Sequence, residues 1–457
     1  MEQPVRLNLM KCWMALSIGL LVTACHKDGS RNGLGDSVPL QAKKTDPLTL
    51  ALAPHSGDSK ADREIAQRQQ KVLKGRQNEV ALEALGWAYV AKARESFDPG
   101  FYKLAEQCAL CLETRRPNSP EALLLRGHVL HNLHRFKEAE PLARELVARR
   151  GLAFDYGLLG DVLMEQGRLE EAVAAYQRMV DLRPDLQSYA RAAHIRWLKG
   201  DLAGATELMQ MAVSAASPRD PESAAWVSSR LGLYLFEAAA MTEAWDAAGS
   251  ALEFQSEYPP ALLLRGRILL AQAKPAEAVQ TLKRAVERNP LPEYQWALAE
   301  ALRSAGRDEE AGAVEKALQR HGSSADPRTY ALYLATRGEN VELATRLSEK
   351  ELDCRSDVFT HDALAWSLAA TGRVQEARER MEMALAEGTQ DARLFFHAAV
   401  ISTRCGRPLE AGAWLEKTGK LVHLLLPSER KQFQTVAARL ANQTTAAATD
   451  TFSTLGD

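Results

Sequence analysis

One spacing governs what this chain can fold into. Gly167, Gly200, Gly306, Gly338, Gly372 and Gly406 each follow an amphipathic stretch of about a dozen residues, the length of a three-turn helix. The steps from Gly167 to Gly200, Gly306 to Gly338, Gly338 to Gly372 and Gly372 to Gly406 are 33, 32, 34 and 34 residues. An alanine stands five positions after most of these glycines, at Ala172, Ala205, Ala311, Ala377 and Ala411, with Ala344 one residue late. The gap between Gly200 and Gly306 holds three more periods, with Ala239 and Ala273 at the turn positions, and prolines close several units at Pro117, Pro184, Pro218, Pro259 and Pro290. A unit this short cannot bury its own apolar face, so a chain of such units has to stack them into one continuous core.

The pattern resembles the tetratricopeptide repeat, a helix–turn–helix unit of about 34 residues. The segment 153–186 carries it most fully, with Leu159-Gly160, Leu163, Gly167, Ala172, Tyr176 and Pro184 in the expected places. Gly160 and Ala172 are small where two helices cross closely, and Tyr176 fills space against the neighbouring unit. Gly167 serves a turn that needs positive φ, and Pro184 ends the second helix because it cannot continue one. The resemblance implies an all-α, right-handed solenoid of about ten repeats across 79–421. The units run 79–118, 120–152, 153–185, 186–219, 225–258, 259–291, 292–323, 324–357, 358–391 and 392–421, the first marked by Leu85-Gly86-Trp87-Ala88-Tyr89. A lead helix is expected in 60–78 and a capping helix in 422–441. The runs Asp362-Ala-Leu-Ala-Trp366 and Phe395-Phe-His-Ala-Ala399 are similar to those of bacterial repeat proteins, a likeness that adds no activity.

The ends read differently. Arg6 and Lys11 precede an apolar run from Cys12 to Ala24, too short to span a membrane and typical of a secretory signal peptide over 1–24. Leu21-Val22-Thr23-Ala24-Cys25 resembles the lipobox of bacterial lipoproteins, which implies cleavage after Ala24 and acylation of Cys25. Several acyl chains hold a protein stably on a membrane. His26 stands where the inner-membrane retention signal has Asp, so the resemblance favours the outer membrane, facing the periplasm. Gly, Ser, Pro and Asp crowd residues 25–59, which therefore read as a flexible tether, and 442–457 read as a disordered tail.

Little chemistry is visible. Lys and Arg total 57 against 59 Asp and Glu, which excludes a strongly basic nucleic-acid binder. No phosphate-binding, metalloprotease or nucleophile-elbow motif occurs, and the repeats leave no room for a catalytic domain. The sequence calls for no cofactor. Cys108-Ala-Leu-Cys111 with His128, His131 and His134 nearby has the residue types of a metal or redox site. Its cysteines, however, fall on a second helix and the first two histidines on the concave side of the next unit, so ordinary packing or a local disulfide is the better reading. Cys354 and Cys405, in non-adjacent units, are expected to be buried thiols.

In the tetratricopeptide family, the first helices of successive repeats line a concave groove. That resemblance places His128, His131, Asp161, His194, Trp197, Phe236, Arg267, Trp296, Glu300 and Arg303 on it, with Trp366 beyond. Aromatic and Arg anchors on such a face suit an extended peptide or a partner helix. The chain accordingly reads as a non-enzymatic scaffold, lipid-anchored at the bacterial envelope, for protein partners. The alternative is an envelope glycan-binding or export accessory lipoprotein, which is disfavoured because Trp197, Trp296 and Trp366 are dispersed over separate repeats.

Overall fold

The computed structural model describes residues 46–75 and 78–453, with side chains through 442. The expected signal peptide and Cys25 lie outside them. The described residues form 23 α-helices and one 3-10 turn. Two short leading helices, α1 (Pro47–Ala51) and α2 (Lys60–Lys74), precede ten antiparallel pairs. Repeats 1 to 3 are α3 (Glu79–Ser96) with α4 (Gly100–Arg115), α5 (Pro120–Asn132) with α6 (Phe136–Arg149), and α7 (Ala153–Glu165) with α8 (Leu169–Leu182). Repeats 4 to 6 are α9 (Leu186–Leu198) with α10 (Leu202–Ser214), α11 (Pro221–Glu237) with α12 (Met241–Phe254), and α13 (Pro259–Ala271) with α14 (Pro275–Arg288). Repeats 7 and 8 are α15 (Pro292–Ser304) with α16 (Asp308–Ala325) and α17 (Pro327–Arg337) with α18 (Val341–Cys354). Repeats 9 and 10 are α19 (Val358–Ala370) with α20 (Val374–Leu385) and α21 (Ala392–Arg404) with α22 (Pro408–Lys420). A 3-10 turn (Val422–Leu424) and α23 (Pro427–Ser453) follow.

Local chemistry explains where the helices begin and end. Ser119, Asp185, Asp220, Asp326, Asp357 and Asp391 each cap a first helix by accepting a backbone N–H of its first turn. Proline opens α5, α11, α13, α15 and α17, where a missing N–H costs nothing. Pro259 is therefore a helix starter and closes nothing. Each of the ten turns inside a repeat has a residue in the left-handed region, Phe97, His134, Gly167, Gly200, Ala239, Ala273, Gly306, Gly338, Gly372 and Gly406, with Asn340 a second one in the turn of repeat 8. Glycine is the cheap solution, and four turns manage without it.

Close helix crossings set the stacking. A Cβ on Gly160 would stand 2.3 Å from the Tyr176 ring, and one on Gly266 2.4 Å from Leu282. Tyr176 thus packs on its own repeat's first helix, and the link to the next repeat is polar. Tyr176 donates to Asp161, which also accepts two bonds from Arg191 of α9. Fully buried alanines (Ala172, Ala205, Ala244, Ala278, Ala311, Ala344, Ala377 and Ala411) mark the same position of the second helix in repeats 3 to 10.

The solenoid winds far enough to touch itself. Ser356 N–H donates to Glu165 O at 3.0 Å, Lys199 pairs with Glu387 at 3.0 Å, and Thr389 Oγ1 donates to Leu198 O. The partners are 188 to 191 residues apart. The connections after repeats 8 and 9 thus sit on the turns of repeats 3 and 4. Arg355 fills the seam, 3.0 Å from His134 Nδ1 and 3.5 Å from Glu165. Arg94 of repeat 1 pairs with Glu222 of repeat 5 across the interior.

Three segments differ from the reading of the ends. The stretch assigned to the tether is folded where it is described: Ala51 is fully buried, and its carbonyl accepts from Tyr89 Oη at 2.8 Å. The closing helix α23 continues past 441 to Ser453, through residues read as a tail. Its first turns do more than cover the last repeat, because they run along the inside of the superhelix.

Candidate functional site

Winding the first helices inward encloses a chamber of about 380 Å³, within the range of ligand pockets. The second residue of each first helix from α11 to α21 lines it: Glu222, Pro260, Glu293, Arg328, Phe359 and Arg393. Each repeat therefore contributes one side chain at a fixed register position. Deeper in, Trp197 stacks on Phe359 at 5.5 Å and on Tyr234 at 6.0 Å. The Arg230 guanidinium lies 5.7 Å from the Trp197 ring and 5.5 Å from the Tyr234 ring, with Nη2 3.1 Å from His194 Nδ1. Among the described residues no carboxylate forms an ion pair with Arg230, whereas Arg328 pairs with Asp357 at 2.9 Å.

Burial raises four acids of this chamber. It pushes Glu237 up to about 8, against a hydrogen bond donated by Trp197 Nε1. It pushes Glu165 up to about 7, against the pull of Arg355. Burial also raises Glu293 and Asp391. The same desolvation holds His194 well below the ordinary histidine value, with Arg230 adding to it, so the ring is neutral. The wall is thus aromatic and set with guanidinium groups, with the acidity of Glu165, Glu237, Glu293 and Asp391 weakened by burial and that of Asp357 strengthened by Arg328 and Arg355.

Of the residues the sequence placed on the groove, His194, Trp197 and Arg267 line this chamber. His128 is buried beneath Trp87, with ring centroids 5.4 Å apart, and Asn132 donates to its carbonyl. His131 is buried against Phe136, and burial keeps both rings below their usual pKa. Asp161 is saturated by Arg191 and Tyr176. Phe236 and Trp296 are buried, the latter 4.5 Å beneath Arg393. Glu300 accepts from both N–H and O–H of Ser428, at 3.0 and 2.6 Å. Arg303 reaches out of the groove to Glu315 of its own repeat at 2.6 Å. Trp366 stacks on His397 at 4.1 Å and donates to Thr336 Oγ1.

Sequence reasoning missed Arg230, Glu237, Arg328 and Phe359. The signal for two of them was available, since Arg328 and Phe359 share the register position one residue into the first helix.

Cys108 and Cys111 are free thiols buried in α4, one turn apart. Burial raises both, Cys111 to about 11, which makes them poor ligands and nucleophiles. His134 faces away from them, toward Arg355. Among the described residues no group of three or more His, Cys, Asp or Glu is placed to hold a metal ion. Cys354 and Cys405 are half-buried rather than buried. No described helix is long and apolar enough to cross a membrane.

A family match agrees with this repeat pattern. The tetratricopeptide repeat profile matches residues 158–224 and 263–327, so these segments carry that repeat. No curated protein matches the chain. Among solved structures, the chain is similar to the crystal structure of MamA at 17% identity, covering 36% of this chain and 94% of that one with a TM-score of 0.30. It is similar to MamA from residue 41 to its end, from Desulfovibrio magneticus RS-1, at 22% identity, with 34% and 85% covered and a TM-score of 0.28. It is also similar to a chain of the APC/C hetero-tetramer Cut9–Hcn1, at 14% identity, with 88% and 92% covered and a TM-score of 0.33.

Proposed function

We propose that this all-α repeat solenoid is a non-enzymatic protein-interaction scaffold that takes an extended partner segment into its inner chamber. The observation that carries the reading is the chamber wall: one side chain per repeat at a fixed register, aromatic surface at Trp197 and Phe359, and the guanidinium of Arg230 without a carboxylate. Such a wall offers hot-spot residue types in a concave setting. Its groups are spread along many repeats, as an extended ligand requires.

The place of action is proposed from the sequence. Leu21-Val22-Thr23-Ala24-Cys25 supports a lipid anchor at Cys25 on the bacterial envelope, with partners in the same compartment. Replacing Cys25→Ser should move the protein from the membrane to the soluble fraction, and unchanged membrane retention would refute the anchor. For the chamber, in-cell crosslinking of wild type against Arg230→Ala should show a partner whose crosslink is lost in the variant while the melting temperature stays within a few degrees. An unchanged crosslink would place the interface elsewhere on the solenoid.

A further inference from the structure

The segment after the last repeat does something that covering that repeat does not require. Phe433, Val436 and Leu440 of α23 pack on α22 and its neighbours, and these are sufficient to close the end of the array. The residues before them reach back to repeats 5 to 8. His423 bonds Phe236 O at 2.8 Å, Arg430 donates to Leu270 O at 3.2 Å and Gln432 donates to Thr336 O at 3.0 Å. Each of these carbonyls lies in the last turn of a first helix, α11, α13 or α17, where the helix dipole is negative, and Phe236 O and Leu270 O accept these bonds in addition to one from the turn that follows. Arg267 donates to Leu424 O at 2.8 Å, and Ser428 gives both its N–H and its O–H to Glu300. Leu424, Leu425 and Leu426 are buried, and Leu424 forms part of the chamber wall.

We infer that the inner face of repeats 5 to 8 is a peptide-recognition surface, with the chain's own segment 421–432 as its resident occupant. Its ligand in trans is a partner segment of the same chemistry: a short leucine-rich 3-10 turn entering a helix whose first turn begins Pro-Ser or Pro-Thr. The inference deepens the chamber reading and rests on it, since displacing Leu424 opens the chamber on that side. The resident segment defines the ligand. Apolar side chains fill the floor, one carbonyl meets Arg267, and the helix N-terminus meets the Glu300 carboxylate, a favourable dipole pairing. The covalent link to α22 gives the resident segment a high effective concentration, so a partner must either exceed it in contacts or bind when it opens.

A fluorescein-labelled peptide spanning residues 420–437 is the probe, titrated by anisotropy into the full chain. The peptide should bind wild type weakly, and at least tenfold tighter to Leu424→Asp/Leu425→Asp, whose own segment is expelled. Adding Glu300→Gln to that variant should remove most of the gain. Equal affinity for wild type and the expelled variant, or a gain indifferent to Glu300, overturns the proposal. If the double-aspartate variant fails to fold, amide exchange on wild type decides. Amides of 421–432 should exchange at least tenfold faster than those in the middle of α13 and α15, and equal protection would make the segment a fixed part of the fold. The chamber reading stands or falls separately, on the Arg230→Ala crosslink.

Discussion

At the scale of single residues, glycines that look alike in sequence do different work. Gly167, Gly200 and Gly372 share a turn position and a positive φ. A Cβ on Gly372 would meet nothing within 4 Å, whereas on Gly200 it would stand 2.4 Å from Gly388 O and on Gly167 2.3 Å from Ser356 O. Gly372→Ala should therefore cost about 1–2 kcal/mol, the price of the left-handed backbone alone. Gly200→Ala should cost more and also loosen the seam. Urea titration compares them, and equal losses would mean that the seam does not constrain Gly200. The turn role was legible from the period, but the second constraint was not, because the opposing backbone lies nearly two hundred residues away in sequence. Glu237 gives a pH signature. Its folded pKa of about 8 lies above the ordinary 4.5, so its contribution is complete below pH 4.5 and is lost as pH rises toward 8. Wild type should thus fall in melting temperature relative to Glu237→Gln across that window, and parallel curves would contradict the buried, protonated carboxyl.

At the scale of elements, the helices follow from periodicity and capping, and their pairing was readable because each unit must cover its neighbour. What joins repeat 3 to repeat 4 was not readable. Asp161 was assigned to the groove, yet Arg191 and Tyr176 consume its oxygens inside the stack. Asp161→Ala leaves Arg191 buried without its partner and should cost about 3–5 kcal/mol, while Asp161→Leu/Arg191→Met should cost much less. A double variant as unstable as the single one would mean that the pair contributes through its packing rather than its charge. The path of α23 was hidden for a similar reason. His423, Arg430 and Gln432 have the composition of a solvated face, and only the folded superhelix brings helix-end carbonyls within their reach.

At the scale of the whole molecule, the repeat count converts into a shape. Enough units are present for the connections after repeats 8 and 9 to rest on the turns of repeats 3 and 4, which turns an open groove into a chamber. Arg355 is the centre of that seam, and burial leaves Glu165 and Glu351 dependent on it. Arg355→Leu should part the turns and raise the radius of gyration in small-angle scattering, with little loss of helix by circular dichroism. An unchanged radius would mean that stacking alone sets the superhelix. A closed seam also determines which face a partner can use. The most direct test of that claim is photocrosslinking from two positions in cells, one at Leu233 on the chamber wall and one at Leu409, 90% exposed on the outside. The inner-face account predicts a discrete protein adduct from Leu233 and none from Leu409, and adducts from Leu409 alone would contradict it.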